Sequence, residues 1–215
     1  MKYTLAIFDL DGTLLNTLDD LADSCNYVLQ KFNFPTRTLQ EIKSFVGNGI
    51  PKLIERALPQ DTDKNIFDKV LQEFIEYYKK NSANKTRPYD GIIETLTSLK
   101  QKNILIAVNT NKQEQAALTV CKNYFGNLID IIQGAIDGKP LKPDPFGINS
   151  ILEKTQVSKS NAIYIGDSDT DILTANNSNL DFITCTWGFR EKDFLLSKGA
   201  KNLIDNPKQI LDFFN

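Results

Sequence analysis

Four short stretches of this chain hold the side chains able to do chemistry, and none contains a histidine, because the chain has none. That removes Ser/His and Cys/His catalysis and the commonest base near neutral pH, so proton transfer falls to carboxylates, lysine or tyrosine. The first stretch is Asp9-Leu10-Asp11-Gly12-Thr13, two acids one residue apart at the end of an apolar run. The chain is turning there, so both carboxylates can converge on one cavity. Gly12 lets the backbone turn closely around a ligand, and Thr13 adds a hydroxyl and an amide donor. The second is Asn109-Thr110-Asn111-Lys112, after Ile104 to Val108. Its donors, opening a helix, suit an anion such as a phosphate oxygen, or on their own a polar helix cap. The third is Leu141-Lys142-Pro143-Asp144-Pro145, where two prolines stiffen the approach to a helix and Lys142 makes a placed point charge. A plain surface lysine would read the same way in isolation. The fourth is Gly166-Asp167-Ser168-Asp169-Thr170-Asp171, again after an apolar strand. Ser168 or Asp169 could cap the next helix, but capping leaves Asp167 unexplained. Carboxylates at two separate strand ends make a hard-oxygen site suited to Mg²⁺, which keeps waters and takes few protein ligands.

These stretches need a scaffold that brings strand ends together. The run from Leu5 to Phe8 reads as a buried parallel strand, and ligands of open parallel sheets gather at the carboxyl ends of strands. After Leu15 the pattern turns helical. Leu18, Leu21, Ala22, Cys25, Val28, Leu29 and Phe32 repeat at helical spacing with Thr17 as cap, up to Phe34-Pro35. Two shorter helices, Thr38 to Ser44 and Pro51 to Leu58, hinge at Gly47-Asn48-Gly49. A long helix then buries Ile66, Phe67, Val70, Leu71, Phe74, Tyr77 and Tyr78. From Pro88 onward helices and strands alternate. Helices are expected at Gly91 to Lys102, Lys112 to Tyr124, Pro145 to Thr155, Asp169 to Asn177 and Pro207 to Phe214, and strands at Ile104 to Asn109, Ile129 to Gln133, Ala162 to Ile165 and Phe182 to Cys185. The expected fold is therefore α/β, a Rossmann-like parallel sheet core with an all-helical cap domain inserted after the first strand. Residues 1–15 and 83–215 form the core and 16–82 the insertion, since the link between the first two strands is too long for a simple crossover.

The 215 residues, 41% hydrophobic and 24% charged, are ordinary for a globular protein with a sizeable core. Twenty-five basic against 27 acidic residues give a net charge of −2, no footprint for nucleic acid or an anionic membrane. Cys25, Cys121 and Cys185 are far apart and odd in number, with neither zinc spacing nor a disulfide framework. No stretch reads as a signal peptide or a bilayer span, so a cytoplasmic protein without a membrane partner is expected.

In order and together, the four stretches resemble the haloacid dehalogenase superfamily over essentially the whole chain. Asp9-x-Asp11-Gly12-Thr13 is similar to its first motif, Thr110 to its second, Lys142 to its third, and Gly166-Asp167-x3-Asp171 to its fourth. The helical insertion resembles its type 1 cap. The phosphoglycolate-phosphatase-like branch is the nearer likeness, on Thr110-Asn111-Lys112, Lys142-Pro143-x-Pro145, Gly166-Asp167-Ser168 and Thr186-Trp187-Gly188. One departure is Ser178-Asn179, where that branch usually has Ala-Gly; Asn tolerates the left-handed conformation a helix end often needs.

The resemblance implies a Mg²⁺-dependent phosphatase acting on a small phosphorylated metabolite, as a monomer or homodimer. Asp9 would be the nucleophile and Asp11 the acid and base. Asp9, the Asp11 carbonyl and Asp167 would hold Mg²⁺, with Asp171 orienting ligand water or Lys142. Lys142 and Thr110, with amides near Asp11 and Asn111, would neutralise the phosphoryl oxygens, and Gly12 and Thr13 would line the same site. Lys142 would also keep Asp9 ionised. Gly47 and Asn48, in the loop Phe45 to Gly49, are the candidates for touching the leaving group. A phosphomutase or a pyrophosphatase would use the same acids. A dehalogenase would lack an acid at position 11, and a phosphonate hydrolase would need a reactive cap lysine such as Lys43 or Lys52. A silent binding protein on this scaffold would turn over no ester.

Overall fold

The computed structural model describes residues 2–215. Strand β1 (Leu5–Phe8) is buried along its whole length. Period-two alternation sends Ala6 and Phe8 into one apolar cluster and Leu5 and Ile7 into another, so helices must cover both faces. The chain then passes through β2 (Leu15–Asn16), α1 (Leu18–Lys31), α2 (Leu39–Phe45), α3 (Ile50–Ala57), α4 (Lys64–Asn81) and β3 (Arg87–Pro88). There follow α5 (Ile92–Gln101), β4 (Leu105–Gln113), α6 (Glu114–Phe125), β5 (Ile131–Ala135), α7 (Phe146–Thr155) and β6 (Ala162–Gly166). The last elements are α8 (Asp169–Ser178), β7 (Asp181–Cys185), α9 (Lys192–Ser197), β8 (Leu203–Ile204) and a 3₁₀ helix, Pro207–Phe214. No described helix is long and apolar enough to cross a membrane.

Two compact units result: Met1–Leu15 with Pro88–Asn215, and Asn16–Arg87. In the first, six parallel strands run in the order β5-β4-β1-β6-β7-β8. The chain steps outward on one side of β1, returns, and steps outward on the other. The crevice of such a switch lies over the carboxyl end of β1. Register makes this concrete: Phe8 pairs with Val108 on β4 and with Ile165 on β6. Asp9 is thus level with Asn109 and Gly166, and its amide donates to the Ile165 carbonyl at 2.9 Å.

Several boundaries differ from the sequence-based expectation. Strand β4 runs four residues past Asn109, so Thr110, Asn111 and Lys112 lie on its irregular extension against β5 rather than opening a helix. The closing segment is 3₁₀ rather than α. Asn179 ends α8 with φ 55° and ψ 45°, the left-handed conformation its amide side chain tolerates.

The second unit packs α1 on α4; the buried residues of α1 include Leu21, Cys25, Val28 and Leu29, and those of α4 are Val70, Phe74 and Tyr78. Tyr27 stacks on Tyr77 at 3.8 Å. Ile66, expected inside, is 40% exposed, because it sits in the first turn of α4, ahead of the buried stripe. Thr17 precedes α1 but its hydroxyl makes no capping bond and, among the described residues, is buried without a partner; Asn16 accepts from the Leu18 amide instead, at 3.3 Å. The return to β3 falls at residue 87, later than 82, because Asp20 captures the intervening chain. Its carboxylate accepts from the Lys85 and Thr86 amides and the Thr86 hydroxyl, at 2.8 to 3.1 Å. Charge-assisted bonds to buried donors are the strong kind. Asp20→Ala should therefore lower unfolding stability by roughly 2–4 kcal/mol, read as a shift in urea midpoint; a shift near zero would show that these bonds are dispensable.

The start of β7 carries a second polar tie. Lys2 and the Tyr3 hydroxyl each donate to Asp181 at 2.6 Å, and the Lys2 bond first, then the Tyr3 bond, holds that carboxyl below its usual range. A lowered folded-state pKa stabilises above the unfolded value, near pH 4, and the contribution disappears as pH falls through the folded value. The stability gap between wild type and Asp181→Asn should narrow between pH 6 and pH 2; a gap constant with pH would contradict it.

Candidate active site

Lys142 stands at the centre of the crevice with its side chain 4% exposed. Its ammonium lies 2.7 Å from Asp9, at the end of β1, and 2.8 Å from Asp171, in the first turn of α8. The lysine is placed by its own backbone: its amide donates to the Asn111 side-chain oxygen at 2.8 Å, and the Asn111 amide group returns a bond to the Lys142 carbonyl at 3.3 Å. Asn111 therefore fastens the Lys142 loop to β4. Tyr164, buried in β6, bonds through its hydroxyl to Asp171 at 2.9 Å and to Lys142 at 3.3 Å.

Asp171 divides its two oxygens. One faces Lys142 and Tyr164; the other accepts from the Ser168 hydroxyl at 2.6 Å and the Ser168 amide at 3.1 Å, closing a capping box at the start of α8. Capping and charge placement are thus done by one side chain. Asp167 accepts from the Thr13 hydroxyl at 2.9 Å and the Phe189 amide at 2.7 Å. A Cβ added at Gly12 or Gly188 would come within 2.5 and 2.3 Å of its carboxylate oxygen, so both glycines make room for Asp167. Gly12 also takes φ +99°, a conformation that favours glycine.

The remaining candidate residues have these neighbours. The Thr13 hydroxyl donates to Asp167, and the Gly12 amide donates to the Leu15 carbonyl at 2.8 Å, so both shape the acid site. The Asn111 side chain holds the Lys142 loop. Thr110 is buried, and its hydroxyl oxygen accepts from the Lys112 amide at 3.1 Å. Asp11 is partly exposed and pairs with Lys112 at 2.9 Å. Gly47 and Asn48 belong to the other unit, in the turn between α2 and α3, where Arg56 donates to the Phe45 carbonyl at 2.6 Å and to the Asn48 side chain at 2.8 Å. Sequence reasoning gave no role to Tyr164 or to the Phe189 amide. The first looked like an ordinary strand residue, and a backbone donor has no signature.

One carboxylate oxygen each from Asp9, Asp167 and Asp171 lies within 4.8 Å of the others, and all three residues are buried. Burial, then the Asp171 charge, pushes Asp9 well above the carboxylate range, against the pull of Lys142. The same two causes push Asp167 up to about 7. Burial works against the Lys142 ammonium too, but Asp171 and Asp9 outweigh it and hold its pKa high. Three hard-oxygen donors with one ammonium among them fit a divalent cation of the Mg²⁺ type.

The arrangement defines a class. A profile of haloacid dehalogenase-like hydrolases matches residues 6–185, and the chain belongs to that family. It is an enzyme of the phosphoglycolate-phosphatase-like kind. A phosphoglycolate phosphatase of Haemophilus influenzae is 34% identical over 98% of this chain and 97% of its own, and one of Photobacterium profundum is 31% identical over 95% and 93%. A solved structure from Lactobacillus delbrueckii subsp. bulgaricus, whose description proposes a phosphoglycolate phosphatase, superposes with a TM-score of 0.95 at 31% identity, covering 99% of this chain and 98% of that one.

Crowded carboxylates cost stability until a cation joins them. Asp167→Asn should raise the melting temperature of chelator-treated protein, while removing the increase that Mg²⁺ gives to wild type. A variant that still gains the full increase would place the cation elsewhere.

Proposed function

We propose that the enzyme hydrolyses a small phosphate monoester of the phosphoglycolate type, with Mg²⁺, through an aspartyl-phosphate. The observation that carries this reading is Asp9, which meets Lys142 at 2.7 Å inside a cluster of three acids, with a further acid, Asp11, two residues along the chain. Asp9 and Asp167, with the backbone carbonyl of Asp11, would hold Mg²⁺, with Asp171 orienting ligand water or Lys142; the ion neutralises charge at the phosphoryl oxygens when bound.

An Asp9 oxygen attacks phosphorus in line, forming the Asp9–phosphorus bond as the ester oxygen departs. Asp11 gives its proton to that oxygen. It then takes a proton from the water that attacks the aspartyl-phosphate, so phosphate leaves and Asp9 is regenerated. Lys142 meets the charge that develops on the equatorial oxygens, and Thr110 adds a hydroxyl donor whose oxygen is already fixed by the Lys112 amide. Gly47 and Gly49 in the α2–α3 turn take φ 112° and 84°, a conformation that favours glycine. All three cysteines are buried and free, which suits a reducing cytoplasm. We place the enzyme there, as a monomer or homodimer.

Phosphate release from 2-phosphoglycolate and from an aryl phosphate should require Mg²⁺ and stop in excess chelator. Asp9→Asn should lower the rate by at least about a thousandfold without loss of folded structure by circular dichroism. Turnover that survives the chelator, or near wild-type activity in Asp9→Asn, would overturn the reading.

A further inference from the structure

Two lysines, rather than one, are sunk into this crevice. Lys142 pairs with Asp9. Lys112 pairs with Asp11, at 2.9 Å, with its side chain 5% exposed and that of Asp11 21% exposed. Surface pairs between long, mobile side chains contribute little; this one is shielded, and its lysine is held by a strand. On the extension of β4, Thr110 and Lys112 are two residues apart and so share a side, while Asn111 turns away to grip the Lys142 loop. The Lys112 amide also fixes the Thr110 hydroxyl oxygen. One residue therefore ties the expected phosphate donor and the expected acid to the same backbone.

We propose that Lys112 is a positioning residue for Asp11, a proposal that rests on the acid–base reading of Asp11 given above. Its ammonium holds the Asp11 carboxyl at the angle from which it serves first the departing oxygen and then the incoming water. Lys112 keeps its protons throughout. The transferred proton moves from Asp11 to the leaving oxygen as the Asp9–phosphorus bond forms, and later from water to Asp11 as that bond breaks; Lys112 itself makes and breaks no covalent bond. The Asp11 side chain is 21% exposed against 9% for Asp9, and a reacting group gains from a partner that fixes its orientation. The general acid matters most where the leaving group is poor, so the same should hold for whatever positions it.

The test compares single-turnover release of an alcohol from an alkyl phosphate and of a phenol from an aryl phosphate. The variants are Lys112→Met, Lys112→Arg, Asp11→Asn, and Lys112→Met combined with Asp11→Asn. Lys112→Met should slow the alkyl ester by about tenfold to a hundredfold and the aryl ester by roughly ten times less. Lys112→Arg should recover part of the alkyl rate. In the Asp11→Asn background, Lys112→Met should change the rate by no more than about twofold, because the two residues act as one unit. Melting temperatures show whether each variant is folded, and Lys112→Gln takes the place of Lys112→Met if the latter is not. Equal losses on both esters, or a full further loss on top of Asp11→Asn, would overturn the positioning role while leaving Asp11 as the acid. Asp11→Asn losses that ignore the leaving group would overturn the acid reading and this proposal with it.

Discussion

A single buried ammonium holds the polar end of the sheet together. Lys142 reaches from a loop between β5 and α7 to Asp9 on one side and Asp171 on the other, and Tyr164 braces both. An unpaired charge at that depth would be costly, and so would the three carboxylates without it. Each group is tolerable only because the others are present. Strand order makes the meeting possible, since β1 lies between β4 and β6 and the three strands end at the same level. The charge count remains lopsided even so. Three acids against one lysine leave an excess of negative charge that a divalent cation would offset.

Much of this could be read from the chain alone, for a physical reason. Apolar strands that end in clustered acids contradict the rule that burial and charge avoid each other, and the contradictions marked Asp9, Asp11, Asp167 and Asp171. Lys142 was marked by its prolines. What stayed hidden lay where function and local pattern disagree. Polar Thr110, Asn111 and Lys112 do not resemble a strand, so the extension of β4 read as the start of a helix. Gly12 and Thr13 stood out as a turn beside two acids, but their partners could not be read from the chain. A glycine that yields space to Asp167 and one that cradles a ligand have the same letter.

The helical unit was legible in its elements and less so in its ends. Helical spacing gave four helices, because each buries a stripe against its neighbours. It could not show that the Thr17 hydroxyl would go unused, or that a first-turn isoleucine would remain outside. Caps and termini depend on single hydrogen bonds, and periodicity carries no information about those.

The grip of Asp20 on Lys85 and Thr86 has a consequence for how such a chain is built. It fastens the start of the insertion to its end, so the helical unit closes on itself. To the α/β core, a segment closed in this way counts as a short connector, whatever its length, because the entropy of joining its ends is met inside the segment. The length and content of the segment can therefore drift without loosening the sheet that receives it. A fold arranged like this can keep one set of acids and lysines unchanged while the part with freedom to vary is exchanged as a piece.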